Sequence, residues 1–328
     1  MSLCKRRERE MSYFIAFIIS FAIVVALIPP LRRVALRIGF VDKPRSDSAR
    51  KIHREPIPLT AGIAIFAGFT AVYLIFVRDS WIQSLAILGG GLLILLIGLV
   101  DDWYKTHGKE FPALPKMAVQ LSAAVLVYLS GIVFSGFENP FNGSYVTLPD
   151  WLSFLFTVLW IFGVTTVINF TDGMDGLAGG LSAISAGTLL VVALVMGQQS
   201  SAMMAVITVG ISAGYLLYNR PPAKVFMGDA GATYLGFMLG VIALDGAFKQ
   251  ATMLSLFIPI LSLGVPILDN VRVVISRIRN GVPFYQADAS QAHYRLLAAG
   301  LKPVQVVSFL YLMNICFGLF SIVLLLAQ

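Results

Sequence analysis

The sequence predicts an all-α, polytopic membrane protein with about ten transmembrane helices and both termini on the extracytoplasmic side. Three observations carry this. First, 58% of the 328 residues are hydrophobic, only 12% are charged, and mean hydropathy is +0.83. An ordinary soluble domain is roughly 25% charged, so disordered chains and soluble enzymes are excluded. Two cysteines, Cys4 and Cys316, exclude a disulfide scaffold and match no metal spacing. Second, ten apolar runs free of Lys, Arg and Glu recur along the chain. Third, 18 of the 24 Lys and Arg fall into alternate loops, as the positive-inside rule requires of cytoplasmic segments.

The spans are placed at 12–31, 59–77, 81–100, 117–135, 151–169, 175–196, 202–219, 230–248, 252–270 and 303–326. At 1.5 Å per residue, roughly 20 residues cross a hydrocarbon core of about 30 Å. The segments alternating every ~10 residues that a β-barrel needs are absent. The first span is a retained anchor: it is longer than a signal-peptide core, lacks an A-x-A site and runs into Pro29-Pro30 and Arg32-Arg33. Short gaps after the second, fifth, sixth and eighth spans make antiparallel hairpins. Pro221 and Pro222 end the seventh span, and Gly228-Asp229-Ala230-Gly231 starts the eighth. One domain accounts for 1–328, with a tail at 1–11 and a long cytoplasmic loop at 271–302. The basic tail Lys5, Arg6, Arg7 and Arg9 pulls the other way, but the loop total outweighs it. The whole net charge of +7 then lies on the cytoplasmic face.

That face also gathers acids at span edges: Asp101, Asp102, Asp172, Asp175, Asp229 and Asp269. A carboxylate beside hydrocarbon is costly unless it meets water, a cation or a hydrogen-bond donor. Adjacent Asp101 and Asp102 repel and stay ionised most easily beside a cation. Asp172 and Asp175 stand three apart, so one helical face presents both. A capped helix start explains the glycines of Asn169-Phe170-Thr171-Asp172-Gly173-Met174-Asp175-Gly176; it explains Asn169 with both acids poorly. Basic groups face the acids from loop 32–58, with Lys51, His53 and Arg54, and from loop 271–302, with Arg272, His293 and Arg295. Acids beside bases suit a ligand with several phosphates, Mg²⁺ bridging carboxylate to phosphate and Lys or Arg taking the remaining charge. No P-loop, GxSxG, HExxH or zinc spacing is present. Nucleic acid is not an expected partner, because the bases sit in loops beside a membrane.

Seven blocks in order resemble the polyprenyl-phosphate N-acetylhexosamine-1-phosphate transferases. They are Lys51-Ile52-His53-Arg54-Glu55-Pro56-Ile57-Pro58, Gly98-Leu99-Val100-Asp101-Asp102, Pro115-Lys116 with Gln120, Asn169 through Gly180, Lys224-Val225-Phe226-Met227-Gly228-Asp229, Pro266-Ile267-Leu268-Asp269 and Gly281-Val282-Pro283-Phe284. The resemblance runs from about Gly39 to Pro303. It implies a multi-pass bacterial plasma-membrane enzyme with its site on the cytoplasmic face. There an undecaprenyl phosphate would attack a UDP-N-acetylhexosamine, giving an undecaprenyl-diphosphate sugar and UMP.

The resemblance further implies Mg²⁺, with Mn²⁺ as a substitute, held by Asn169 and Asp229. It places Asp101 and Asp102 near the attacking phosphate, and His293 among the catalytic groups. Lys51, Arg54, Lys116, Asp172, Asp175 and Arg295 would contact substrate. The family pattern His-x-His-His-Arg is replaced by Gln291-Ala292-His293-Tyr294-Arg295, and neither Gln nor Tyr is a cation near neutral pH. The branch features favour GlcNAc-1-phosphate transfer for teichoic acid or another surface glycan. A phospho-MurNAc-pentapeptide transferase, a homologue that binds without turnover, and a homodimer stay open. A CDP-alcohol phosphotransferase is rejected, since Gly179-Gly180 stands where Ala-Arg is needed. A secondary transporter would carry mid-span charges.

Overall fold

In hydrocarbon every backbone group must be satisfied within its own segment, so apolar runs of this length fold as helices. The computed structural model describes residues 3–43, 55–77, 80–139, 144–246, 257–281 and 290–327. Lys51 and Arg54 lie outside them. The chain runs α1 (Leu3–Ile38), β1 (Val41–Asp42), β2 (Ile57–Pro58), α2 (Ala61–Phe76), α3 (Trp81–Thr106), α4 (Ala113–Leu129), β3 (Gly136–Glu138), β4 (Tyr145–Thr147) and α5 (Asp150–Thr171). It continues through α6 (Leu177–Val195), α7 (Gln199–Asn219), α8 (Gly228–Gly246), α9 (Phe257–Ser262), α10 (Gly264–Arg279), α11 (Ala292–Ala298) and α12 (Pro303–Leu326). Six of these helices are long and apolar enough to cross a membrane, and α2 and α4 are shorter apolar helices. The all-α, polytopic expectation holds.

At the centre stands α8, buried from Ala230 through Gly246. It packs against α2, α3, α5, α6 and α7. A helix apolar all round belongs in such a position. The outer helices instead turn large apolar side chains outward, among them Phe14, Leu85, Leu159 and Leu312. Between α1 and α7 the backbones close on small residues: a Cβ on Gly214 would lie 2.9 Å from the Phe21 carbonyl oxygen, the small-residue packing of membrane helices.

Three spans differ from the sequence expectation. Helix α1 continues through Pro29 and Pro30 to Ile38. Near its far end the Arg32 guanidinium Nε donates to the Lys224 carbonyl at 3.1 Å. Helix α4 ends at Leu129, where the chain leaves the helix toward the β3–β4 hairpin. The ninth span is broken: α9 stops at Ser262 and α10 restarts at Gly264. Pro266 cannot donate to the Ser262 carbonyl, and buried Asn314 on α12 accepts the Val265 N–H at 3.2 Å. Asp245 on α8, inside the predicted eighth span near its end, accepts the Ser201 hydroxyl at 2.6 Å.

At the other end of α8, β1 and β2 pair antiparallel, Val41 with Pro58 and Asp42 with Ile57. This pins both ends of the loop that holds Lys51 and Arg54. Pro58 accepts the Phe226 N–H at 2.8 Å, and Phe226 accepts the Ala61 N–H at 3.2 Å. The loop base is thus stitched to the segment leading into α8.

Candidate functional site

The site forms where α3 ends and α4, α6 and α8 begin. Asp229 occupies the first turn of α8. Its Oδ1 receives the Lys105 ammonium at 2.5 Å, and its Oδ2 receives the Lys116 ammonium. Lys116 also donates to Asp101 Oδ2 at 2.6 Å, and Lys105 stands 3.6 Å from the same oxygen. Two acids and two bases from three helices therefore close a ring. Its members differ in access: the Lys105 side chain is 44% exposed, Lys116 16%, Asp229 17% and Asp101 7%. Lys105 escapes a reading of the motifs, although its spacing to Asp101 on one helix (i, i+4) is a legible pairing signal.

Asp102, next in sequence, does something different. Its Oδ1 accepts the Asp229 N–H at 2.8 Å and its Oδ2 accepts the Ala230 N–H at 3.1 Å. A carboxylate from α3 thus caps α8, supplying acceptors for orphan donors and a negative charge at the positive end of the helix. Two glycines admit this contact. A Cβ on Gly98 would lie 2.6 Å from the Ala230 nitrogen, and Gly228 (φ +67°) has the Asp102 carboxylate where its side chain would be.

Helix α5 runs antiparallel to α8, with Ile161 against Gly240 and Thr165 against Gly236. Continued four to seven residues, that register brings Asp172 opposite Asp229, with Asn169 one turn earlier. Asp172 ends α5, its N–H bonded to the Asn169 carbonyl at 3.2 Å. Burial, reinforced by the Asp229 charge, pushes the Asp172 carboxyl up to about 7. Asp175 turns away into a structural bond, accepting the Ala223 N–H at 2.9 Å. Asn219 accepts the Gly176 N–H at 2.8 Å and donates to the Val225 carbonyl at 3.0 Å. The Asp172–Gly176 turn is thereby tied to the segment before α8.

His293 comes in on α11. Its ring lies against Gly173, where any Cβ would collide with Nε2, and meets the Tyr294 ring at 4.2 Å between centroids, tilted by 45°. It is 2% exposed, and burial pushes its imidazole down to about 4. It is therefore neutral at physiological pH. Nε2 of His293 and Oε1 of Gln291 are buried without a hydrogen-bond partner. Arg295, two residues on, is exposed.

Among the described residues, no group of three His, Cys, Asp or Glu side chains is arranged to hold a metal ion unaided. The donors that do converge are carboxylates that already share cations, with the Asn169 amide one turn from Asp172. Such hard oxygens are what Mg²⁺ or Mn²⁺ takes, with waters and substrate phosphates filling the remaining positions. Asp101 and Asp229 present such oxygens at one place, where Lys105 and Lys116 engage them.

A bundle of long apolar helices that gathers two acids and two lysines at its helix ends has the makings of a multi-pass membrane protein with a polar site able to meet an anionic ligand. A sequence model of glycosyl transferase family 4 matches residues 84–247. The chain is 37% identical over 317 residues to the "Probable undecaprenyl-phosphate N-acetylglucosaminyl 1-phosphate transferase" of Bacillus subtilis, covering 97% of this chain and 86% of that one. It is 30% identical over 311 residues to a decaprenyl-phosphate N-acetylglucosaminephosphotransferase of Mycobacterium tuberculosis, covering 86% and 75%. With the undecaprenyl-phosphate alpha-N-acetylglucosaminyl 1-phosphate transferase of Escherichia coli it shares 28% over 280 residues, covering 84% and 73%. The chain belongs to glycosyl transferase family 4.

Proposed function

We propose that the protein transfers GlcNAc-1-phosphate from UDP-GlcNAc to undecaprenyl phosphate on the cytoplasmic face of a bacterial plasma membrane, releasing UMP. The observation that carries the reading is the ring of Asp101, Lys116, Asp229 and Lys105 at a helix end. One substrate is lipid-borne and the other water-soluble, so their phosphates meet only at the membrane edge. Both are anionic, so carboxylates alone would repel them.

An oxygen of the lipid phosphate attacks the β-phosphorus of the UDP-sugar. The bond from that phosphorus to the oxygen bridging the α-phosphate breaks, and UMP leaves with the electron pair. The lipid phosphate, with a second pKa near ~6, is mostly dianionic at neutral pH and needs no general base. Asp102 has both oxygens on backbone N–H groups, which favours direct displacement over a covalent intermediate on that residue. Lys105 and Lys116 exchange their carboxylate partners for substrate phosphate, holding nucleophile and leaving group in line. Asn169 and Asp229, assisted by Asp101, would hold Mg²⁺ or Mn²⁺. The ion, when bound, neutralises charge on the diphosphate. His293, neutral and buried on the Asp172–Gly176 turn, orients substrate rather than supplying a charge, and exposed Arg295 meets the nucleotide phosphates. Lys51 and Arg54, in the segment between β1 and β2 in sequence, would add cations for the substrate phosphates.

The test is UMP release by purified protein with undecaprenyl phosphate and a panel of UDP-sugars, with and without chelator. UDP-GlcNAc should be turned over in a divalent-dependent manner, and Asp229→Ala and Lys116→Ala should each lose at least about 100-fold, the scale of a removed electrostatic contact in phosphoryl or acyl transfer. Near-wild-type turnover in both variants would sink the assignment. Turnover of UDP-MurNAc-pentapeptide instead would move the protein to the muramyl branch.

A further inference from the structure

We infer that Asp269 is a positioning residue that sets the nucleotide-sugar side of the site through α11, a role that rests on the transfer reaction proposed above. Asp269 lies on α10 and directs both carboxylate oxygens at one backbone group, the Ala292 N–H, at 2.8 and 2.9 Å. Ala292 is the first residue of α11, and the next is His293. The bond therefore fixes the start of the short helix that presses the His293 ring onto Gly173.

The neighbouring side chain completes a frame. Asn270 is buried and donates to the Val167 carbonyl on α5 at 3.3 Å and to the Pro266 carbonyl at 3.2 Å. Val167 stands two residues before Asn169. Consecutive helical residues point about 100° apart, so Asp269 and Asn270 reach two different elements from one turn of α10. One holds α11, which brings His293 and Arg295; the other holds the end of α5, which brings Asn169 and Asp172. A seven-residue helix has little cooperativity of its own, and its place must come from such tethers. Further fixed points include Ala292, Leu296 and Leu297, which pack in the apolar cluster holding Val306 and Leu310 of α12.

This is the Asp102 device used a second time. In each case a carboxylate on one helix accepts backbone N–H in the first turn of another, two groups for Asp102 and one for Asp269, and a site residue stands at or beside the capped position. Asp102 holds Asp229, and Asp269 holds His293.

The test uses the full-length protein in lipid nanodiscs, with Asp269→Ala, Asp269→Asn, His293→Ala and the Asp269→Ala/His293→Ala double variant. Loss of a charge-assisted bond corresponds to about ten-fold. Asp269→Ala should raise KM for UDP-GlcNAc about ten-fold while KM for undecaprenyl phosphate stays within about two-fold. Asp269→Asn keeps one acceptor oxygen and should recover part of the loss. The double variant should be no worse than the worse single variant, because both act through the same helix. Amide hydrogen exchange supplies a readout independent of activity. Residues 292–298 should exchange at least about ten-fold faster in Asp269→Ala, with α5 and α8 unchanged. Equal exchange in wild type and Asp269→Ala, additive losses with His293→Ala, or parallel rises in both KM values would overturn the inference. A wild-type protein that releases no UMP would defeat the functional reading instead, and the exchange experiment would still decide the tether.

Discussion

Replacing Asp102 by Ala separates the two members of the adjacent aspartate pair. The substitution leaves two α8 N–H groups, those of Asp229 and Ala230, without the acceptors they meet at 2.8 and 3.1 Å. Asp102 is 1% exposed, so water does not replace it. An unsatisfied buried donor costs about 1–3 kcal/mol, and loss of a helix cap typically costs about 1 kcal/mol. The two descriptions overlap, which places the expected destabilisation near 3 kcal/mol. On the scale of ordinary domains this lowers the melting temperature by roughly 5–10 °C. Asp102→Asn keeps one acceptor and sets an amide donor against the other N–H, so it should lose more than half of the same amount. Asp101→Ala leaves both lysines paired to Asp229 and leaves the α8 cap in place, so it should lower turnover without freeing the Asp229 and Ala230 N–H groups. Thermal unfolding in detergent, run beside the UMP-release assay, reads both quantities. If Asp102→Ala melts with the wild type yet loses turnover, the carboxylate acts on substrate, and the capping argument is refuted.

Two further outcomes follow from the same geometry. Burial holds the His293 imidazole at about 4, below its unfolded value near ~6.5. The unfolded chain therefore binds the extra proton first, and stability present above pH ~6.5 is lost as pH falls toward 4. The contribution is about 3 kcal/mol at full extent. Melting curves of His293→Phe between pH 7 and pH 4 should lack this acid-side decline; an identical slope in variant and wild type would contradict the buried placement. Gly98→Ala places a Cβ 2.6 Å from the Ala230 nitrogen, a backbone atom that cannot rotate away. The variant should lose about 1–3 kcal/mol by overpacking and with it the Asp102 cap. A fully active Gly98→Ala protein of wild-type melting temperature would show that α3 and α8 do not meet there.

Helix positions were legible because a charge-free run of about 20 apolar residues has few alternatives in hydrocarbon. The exceptions have local causes. Pro29 and Pro30 read as a stop, yet α1 runs past them because its C-terminal turns are held by neighbours, including the Arg32 bond to the Lys224 carbonyl. The ninth run reads as continuous, and its break at Leu263 depends on Asn314, about 50 residues away in sequence. Within the candidate site, the sequence marked out the acids but not the partners each one meets. Asp101 and Asp102 are equivalent as letters, while one step along α3 turns them to different partners, lysines for the first and backbone N–H groups for the second. Asp175 shares a motif with Asp172 and is drawn into the Ala223 bond instead. Lys105 belongs to no block of the motif reading, yet joins Asp101 to Asp229 in space.

Full burial of α8 has a consequence for how the surrounding bilayer is felt. Thickness, lateral pressure and lipid composition act on a protein through the side chains that touch acyl chains, and the large apolar side chains turned outward here include those of α1, α3, α4, α5 and α12. The first turn of α8, carrying Asp229, hangs from a column no lipid reaches. When the outer helices tilt to match a thinner or thicker membrane, the column is carried by its packing, and the Asp102 and Gly98 contacts travel with it. The protein can thus ride membranes of different thickness while the depth of its carboxylates is set by helix against helix.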